Sequence, residues 1–188
     1  MDHSMTGLAA ARKALTDAVA PAVDPADPLA VQQLGLVVDF LDFLAARLPH
    51  LHTRARLELV EAHRLGRAAA RDVAEVDREL SAALADAVVD AALALSDAAT
   101  PTGGLESATA GVHAALRDAV RASAQAAAGP RRRLARLVLD DSAAAAARHR
   151  AWYLPLGFDP YPSEVEPLAE VLDRERRAAD RSPAPTPG

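Results

Sequence analysis

The most constraining feature of this sequence is the proline-free stretch between Pro49 and Pro101, in which Gly66 is the only glycine. Leucine, valine and alanine recur there at steps of three and four residues, which places them on one face of a helix. A straight helix over residues 53–99 would be roughly 70 Å long, whereas a compact domain of this size has a radius of gyration of about 16 Å. We therefore expect one long helix or two, with a bend or break near Gly66, or else a projecting helix that pairs with a second chain.

Prolines and capping residues divide the rest of the chain into further helical segments. Asp27 before Pro28 is typical of a helix start, and Ser163 three residues before a glutamate forms a capping-box pattern. Outside 53–99, the predicted helices cover residues 7–20, 28–48, 105–128, 130–152 and 164–179. These patterns predict an all-α protein, an antiparallel helical bundle of about six helices with one long central helix that can be kinked.

The expected domain organisation is simple. We predict a single helical domain over residues 1–181, in which the proline-rich segment 21–28 is a linker after the first helix. Residues 182–188 are proline-rich and are expected to form a disordered tail.

Composition excludes several functional classes. The net charge of -5 and the pI of 5.7 argue against a general nucleic-acid binder. The absence of cysteine excludes disulfides, thiolate metal sites and cysteine nucleophiles. No stretch long enough to cross a membrane is free of charge, so we expect no membrane partner and a cytoplasmic location. No cofactor motif is found, and none of the serines lies in a nucleophile elbow.

The helix predicted over residues 28–48 carries apolar side chains around most of its circumference. The residues of its core stripe are Leu34, Val37, Val38, Leu41, Leu44 and Leu48. A second apolar strip beside it consists of Leu36, Phe40 and Phe43. Such a helix is typical of a central position or of a subunit interface.

A small-molecule pocket is one candidate site. Asp141 and His149 lie near the apolar face of one helix, and an aspartate facing a core requires a partner. The loop that follows holds four of the six aromatic residues of the chain. The predicted pocket is lined by Asp141, His149, Trp152, Tyr153, Phe158 and Tyr161. Alternatively, the aromatic loop is a structural lid that closes one end of the bundle.

Arginines at the start of a helix form a second candidate site. Arg131, Arg132 and Arg133 lie where the helix dipole already concentrates positive charge, which favours an anionic small molecule or an acidic partner surface. The alternative is a solvated basic patch in which Asp140 pairs with Arg136.

Histidines and glutamates near the start of the central element are weak metal candidates. They are His50, His52, Glu58, Glu61 and His63. On a helix Glu61 and His63 point roughly 200° apart, and the sequence holds no Glu-x-x-His or His-Glu-x-x-His motif. We therefore expect no metal site here.

Two functions remain open from the sequence. The first is a non-catalytic helical-bundle protein that acts through protein–protein contacts, as a homodimer or with another helical protein. The second is a small cytoplasmic enzyme or small-molecule-binding protein, with its pocket between the helix at 134–152 and the aromatic loop at 152–161. The sequence does not decide whether the protein is an enzyme.

Overall fold

The computed structural model describes the backbone of residues 3–181 and their side chains except at positions 175 and 178–181. Within that range the protein consists of helices and connecting turns, without strands, so the predicted all-α helical bundle is confirmed. The predicted tail at 182–188 lies outside the described residues. The α-helices are α1 (Ser4–Ala14), α2 (Pro28–Arg47), α3 (Leu51–Val76), α4 (Arg78–Ser96), α5 (Thr102–Ala122), α6 (Ala128–Tyr153) and α7 (Leu168–Arg181).

The predicted long central helical element is present. The chain is helical from Pro28 to Val76, because α2 and α3 are joined by a single 3-10 turn at Leu48–His50. Proline has no amide hydrogen to donate, so Pro49 accounts for the change of hydrogen bonding at this turn. Among the described residues, this run alone is long and apolar enough to cross a membrane, a criterion of length and composition only.

The chain divides into two compact units. The first unit comprises the residues up to Leu51 together with Trp152–Val165, and the second comprises His52–Ala151 together with the residues from Glu166 onwards. The interpretation of residues 1–181 as a single domain stays a prediction.

In the first unit, α2 begins where the sequence predicts. The Asp27 carboxylate accepts hydrogen bonds from the backbone amides of Leu29 (3.1 Å) and Ala30 (3.0 Å), which is the geometry of an N-cap. Helix α1 continues into a π-helical turn at Leu15–Val19. It is held to α2 by an ion pair between Arg12 and Asp42.

The core of the second unit is built mainly from alanine, leucine and valine. Helices α4 and α5 make its most extensive helix contact, and the short connection between them makes them antiparallel neighbours. The side chains that form this core are Ala55, Leu59, Ala62, Leu65, Ala69, Val73, Leu84, Ala91, Leu105, Val112, Leu116, Ala119 and Leu134.

The break in the 53–99 element lies at Asp77 and not at Gly66. The Asp77 backbone is extended, and its carboxylate accepts hydrogen bonds from the amides of Glu79 (2.8 Å) and Leu80 (3.0 Å), so it caps α4. Gly66 is buried within α3, and a Cβ atom there would lie 2.7 Å from Val88 Cγ2. The glycine therefore permits a close approach between helices and does not interrupt the helix.

The last helix begins later than the capping box predicts. Residues Pro162–Glu164 form a 3-10 turn, and α7 starts at Leu168. Pro167 is the physical reason, because the residue before a proline is disfavoured in the α region. Glu166, the expected capping-box partner, instead pairs with Arg174 of α7.

Candidate functional site

A cleft of about 260 Å³ lies in the second unit between α3, α5 and α6. Most of the residues that line it have polar or charged side chains. The side chains that line it are Arg54, Glu58, Glu61, Ala62, Thr109, His113, Asp141, Ala145, Arg148 and His149. The cleft is near the small end of the size range of protein sites for small molecules, about 300–1,000 Å³.

Ion pairs order the carboxylates of the cleft. Arg54 Nε donates to Glu58 Oε1 at 2.7 Å, one helical turn away on α3. Arg64 donates to Glu61 at 2.6 Å and reaches Asp141 of α6 at 3.5 Å. The pair formed by Arg64 and Asp141 is the longest of these contacts and joins α3 to α6.

Asp141 is the most enclosed of the three carboxylates. Its side chain is 16% exposed, against 20% for Glu61 and 27% for Glu58. A carboxylate so far removed from water needs partners, and a guanidinium at 3.5 Å is at the limit of hydrogen bonding. The sequence-based expectation that Asp141 requires a partner from another helix therefore agrees with the observed contact to Arg64.

Chemically, the cleft offers both signs of charge. Carboxylates from α3 and α6 face arginines and imidazoles from α3, α5 and α6. Such a wall can hydrogen-bond a small polar molecule at several points. Among the described residues, no group of three or more His, Asp or Glu side chains is placed to hold a metal ion.

The weak metal candidates fall in both units. His50 belongs to the first unit, and in the second unit His52 Nδ1 lies 3.2 Å from Thr102 Oγ1. Glu58 and Glu61 both line the cleft. His63 is half-buried on α3, and its pKa is lowered by burial and then by the positive charge of Arg67.

The residues of the predicted small-molecule pocket belong to different units. Asp141 and His149 line the cleft of the second unit, whereas the aromatic residues from position 152 onwards belong to the first. Phe158 and Tyr161 are strongly exposed, at 79% and 60%. The pocket predicted from the sequence therefore stays a prediction. Of its six residues, Asp141 and His149 line the observed cleft.

In the first unit, Trp152 and Tyr153 have structural partners. Tyr153 stacks on Phe43, with ring centroids 5.9 Å apart. Arg47 lies over the Trp152 ring at 5.6 Å and donates from Nε to the Trp152 carbonyl at 2.8 Å. Burial in this cluster lowers the pKa of Arg47. These contacts support the alternative interpretation for these two residues, in which aromatic side chains close one end of a helical unit.

The arginine-rich start of α6 has a carboxylate partner on α3. Arg133 donates to Asp72 at 2.6 Å and to Glu75 at 2.8 Å, and these hydrogen bonds raise its pKa. Arg131 and Arg132 are exposed. The repulsion expected between an arginine and the positive end of the helix dipole is thus offset at Arg133 by acidic side chains of this chain. Anion binding at the three arginines stays a prediction.

An exposed apolar surface lies on α2 and is larger than the sequence indicated. We call it the α2 outer face, and it comprises Leu29, Leu36, Val37 and Phe40, which are 64%, 47%, 48% and 50% exposed. Sequence analysis placed Leu36 and Phe40 in the second apolar strip and did not single out Leu29. It placed Val37 in the core stripe, which is wrong, because Val37 is exposed. The overlooked signal is that Leu29 precedes Leu36 by seven residues and Leu36 precedes Phe40 by four, which places the three on one side of the helix.

Phe43, the other aromatic of the predicted strip, is turned inward. It is buried between the rings of Phe40 and Tyr153, with Arg47 close to its face. The two phenylalanines therefore have different roles, one inside the first unit and one on its surface.

Compared with known proteins, the chain matches no protein-family model, and no curated protein or solved structure matches it either.

Proposed function

We propose that this protein is a non-catalytic helical module that acts through protein–protein contacts and associates with itself through the α2 outer face. The observation that carries this proposal is the exposure of four large apolar side chains on one side of α2. Contiguous apolar patches of this kind are typical of interaction sites.

The small core of the first unit supports the same proposal. Among its described residues, only Phe43 and Trp152 are buried. A unit of this size with two buried side chains gains little hydrophobic stabilisation from its own core. Covering the α2 outer face would add apolar burial where the unit lacks it.

The size of the face suits a weak dimer. Half-exposed side chains of this size each present roughly 80–100 Å² to solvent, so two copies of the face would bury about 700 Å² of apolar surface. Even with the neighbouring Gln32 and Gln33, the contact stays below the size of stable specific interfaces, about 1,200–2,000 Å² in total, and corresponds to a weak dimer.

Analytical ultracentrifugation at micromolar concentration tests the proposal. The wild-type chain should sediment as a dimer, and Phe40→Glu should weaken dimerisation at least about 100-fold because it places two carboxylates in an apolar contact. Val31→Glu is the matched control, since Val31 is 48% exposed on the opposite side of the same helix, and it should leave the dimer intact. A wild-type monomer at all concentrations would contradict the proposal.

The cleft of the second unit supports a second candidate function, the binding of a small polar molecule. The specific observation is the convergence of Glu61, His113, Asp141 and His149 from three helices on one concave surface. This site lies between α3, α5 and α6. It differs from the pocket predicted from the sequence, because no residue of the aromatic loop lines it.

A pair of adjacent aspartates gives a matched test for the cleft. Small probes of each charge type (1,4-diaminobutane, succinate and glycine) would be titrated while amide chemical shifts are followed by NMR. At least one probe should shift the cleft residues, and Asp141→Asn should reduce that response. Asp140→Asn should not, because the Asp140 side chain is 75% exposed on α6 and does not line the cleft. An unchanged spectrum with all three probes would count against this function.

A further inference from the structure

The charges in the described lining of the cleft between α3, α5 and α6 do not balance. With histidine counted as uncharged, the lining includes three carboxylates, Glu58, Glu61 and Asp141, and two guanidinium groups, Arg54 and Arg148. These side chains therefore carry one more negative charge than positive. A concave surface with this imbalance attracts a cation more strongly than an anion or a neutral molecule.

Arg64 shows where a cation is held beside this cleft. Its Nη2 atom donates to Glu61 Oε2 at 2.6 Å and reaches Asp141 Oδ1 at 3.5 Å, so one nitrogen contacts carboxylates of both α3 and α6. Arg64 does not line the cleft, and its side chain is 59% exposed. Ion pairs made by exposed arginines are weak, so a competing cation can take this position at little cost.

The two carboxylates also have oxygens that accept no hydrogen bond. Glu61 uses Oε2 for both of its contacts with Arg64, and Asp141 uses Oδ1. Among the residues that the structure describes, no hydrogen bond reaches Glu61 Oε1 or Asp141 Oδ2, although both side chains are largely enclosed. Enclosed carboxylate oxygens are normally hydrogen-bonded, so this pair can accept further donors from a ligand.

We infer that the cleft binds a small primary ammonium ion, whose –NH3⁺ group is held by the carboxylates of Glu61 and Asp141 in competition with Arg64. This inference rests on the second candidate function, the binding of a small polar molecule in the cleft, and names the chemical class of that molecule. An ammonium group has three N–H donors, enough to bond both carboxylates at once. Hydrogen bonds between two charged groups are also stronger than neutral ones.

The volume of the cleft limits the size of the ligand. At about 30 Å³ for each water-sized group, a cleft of 260 Å³ holds a molecule of up to about nine non-hydrogen atoms. A small alkylamine fits within this limit. A nucleotide does not.

Titration with n-butylammonium, followed through amide chemical shifts by NMR in 0.15 M salt, tests the inference. This amine is protonated at neutral pH, as a lysine side chain is. Butyrate and 1-butanol have the same chain length and serve as the anionic and the neutral control. Butylammonium should shift the amides of cleft residues such as Ala62 and Ala145, and the two controls should bind at least about tenfold more weakly.

Arg64→Gln separates competition at the two carboxylates from a general effect of charge. It removes the cation that competes for Glu61 and Asp141, so butylammonium should bind at least about fivefold more tightly. Arg71→Gln is the matched control, because Arg71 lies about two turns farther along α3 and its side chain is 91% exposed. Charges are screened beyond about 8 Å in 0.15 M salt, so this control should change the affinity by less than about twofold.

The possible results separate this inference from the function on which it rests. If succinate or butyrate shifts the cleft residues and butylammonium does not, the binding of small molecules stands and the ammonium assignment is wrong. Equal affinities of the wild type and Arg64→Gln for butylammonium would also overturn the inference, because the ligand would then lie away from Glu61 and Asp141. If no probe shifts the cleft residues, even in Arg64→Gln, the inference and the cleft function both fail.

Discussion

Replacement of Gly66 by alanine tests the packing of the second unit against simple helix propensity. Alanine is favoured over glycine within a helix by about 1 kcal/mol, so propensity alone predicts a more stable protein. At Gly66, however, the added Cβ would lie 2.7 Å from Val88 Cγ2 and 3.1 Å from Val112 Cγ1. Carbon atoms pack best at about 3.5–4.0 Å, so the new methyl group overlaps both valines.

The magnitude follows from these two opposing effects. Overpacking a core by one methyl group costs about 1–3 kcal/mol, and valine in a helix has little rotamer freedom with which to move away. After subtraction of the propensity gain, Gly66→Ala should lower the free energy of unfolding by about 1 kcal/mol.

Gly111→Ala is the matched control for propensity. Gly111 lies within α5 of the same unit, and nothing is within 4 Å of its added Cβ. This variant should be stabilised by about 1 kcal/mol, so the two alanine variants should differ by roughly 2 kcal/mol. Urea unfolding followed by circular dichroism at 222 nm measures the difference.

A second substitution identifies the source of the cost. In a Val88→Ala background the closest contact is removed, so Gly66→Ala should there become neutral or stabilising, a coupling typical of side chains in contact. If Gly66→Ala stabilises the wild-type background as much as Gly111→Ala does, the close approach of α3 and α4 at this point is refuted.

Three further predictions concern single residues. Asp77→Ala removes the cap of α4 and should cost about 1 kcal/mol in urea unfolding, whereas Asp77→Asn, an equally good cap, should be nearly neutral. Burial and Arg67 lower the pKa of His63 below its ordinary value, so the unfolded chain takes up this proton first, and stability should fall as the pH drops below about 6.5. His63→Gln should remove that part of the pH dependence, and equal slopes for both proteins between about pH 5 and pH 7 would contradict this. Gly157 has a φ of 75°, so Gly157→Ala should lower thermal stability by about 1–2 kcal/mol, and an unchanged melting temperature would argue against the left-handed turn.

The candidate sites show where sequence-based reasoning stops. Asp141 was recognisable because an aspartate beside an apolar stripe needs a partner, but nothing in the sequence named Arg64 as that partner. His113 belongs to α5 and was not singled out by any motif, although it lines the same cleft. Which side chains meet across helices depends on helix rotation and crossing, and residue spacing within one helix does not specify these.

Local information sufficed for the helices themselves. The three- and four-residue periodicity, the Asp27–Pro28 start and the prolines at 49 and 101 determined that the chain is all-α and where most helices begin or end, because these signals act within a turn or two of the backbone. Tertiary structure decided the rest. It made Gly66 a contact point where the sequence indicated a break, and it gave Arg133 acidic partners on α3. It also left the outer side of α2 uncovered while burying Phe43. These outcomes depend on the distances between helices, which arise only when the whole core packs.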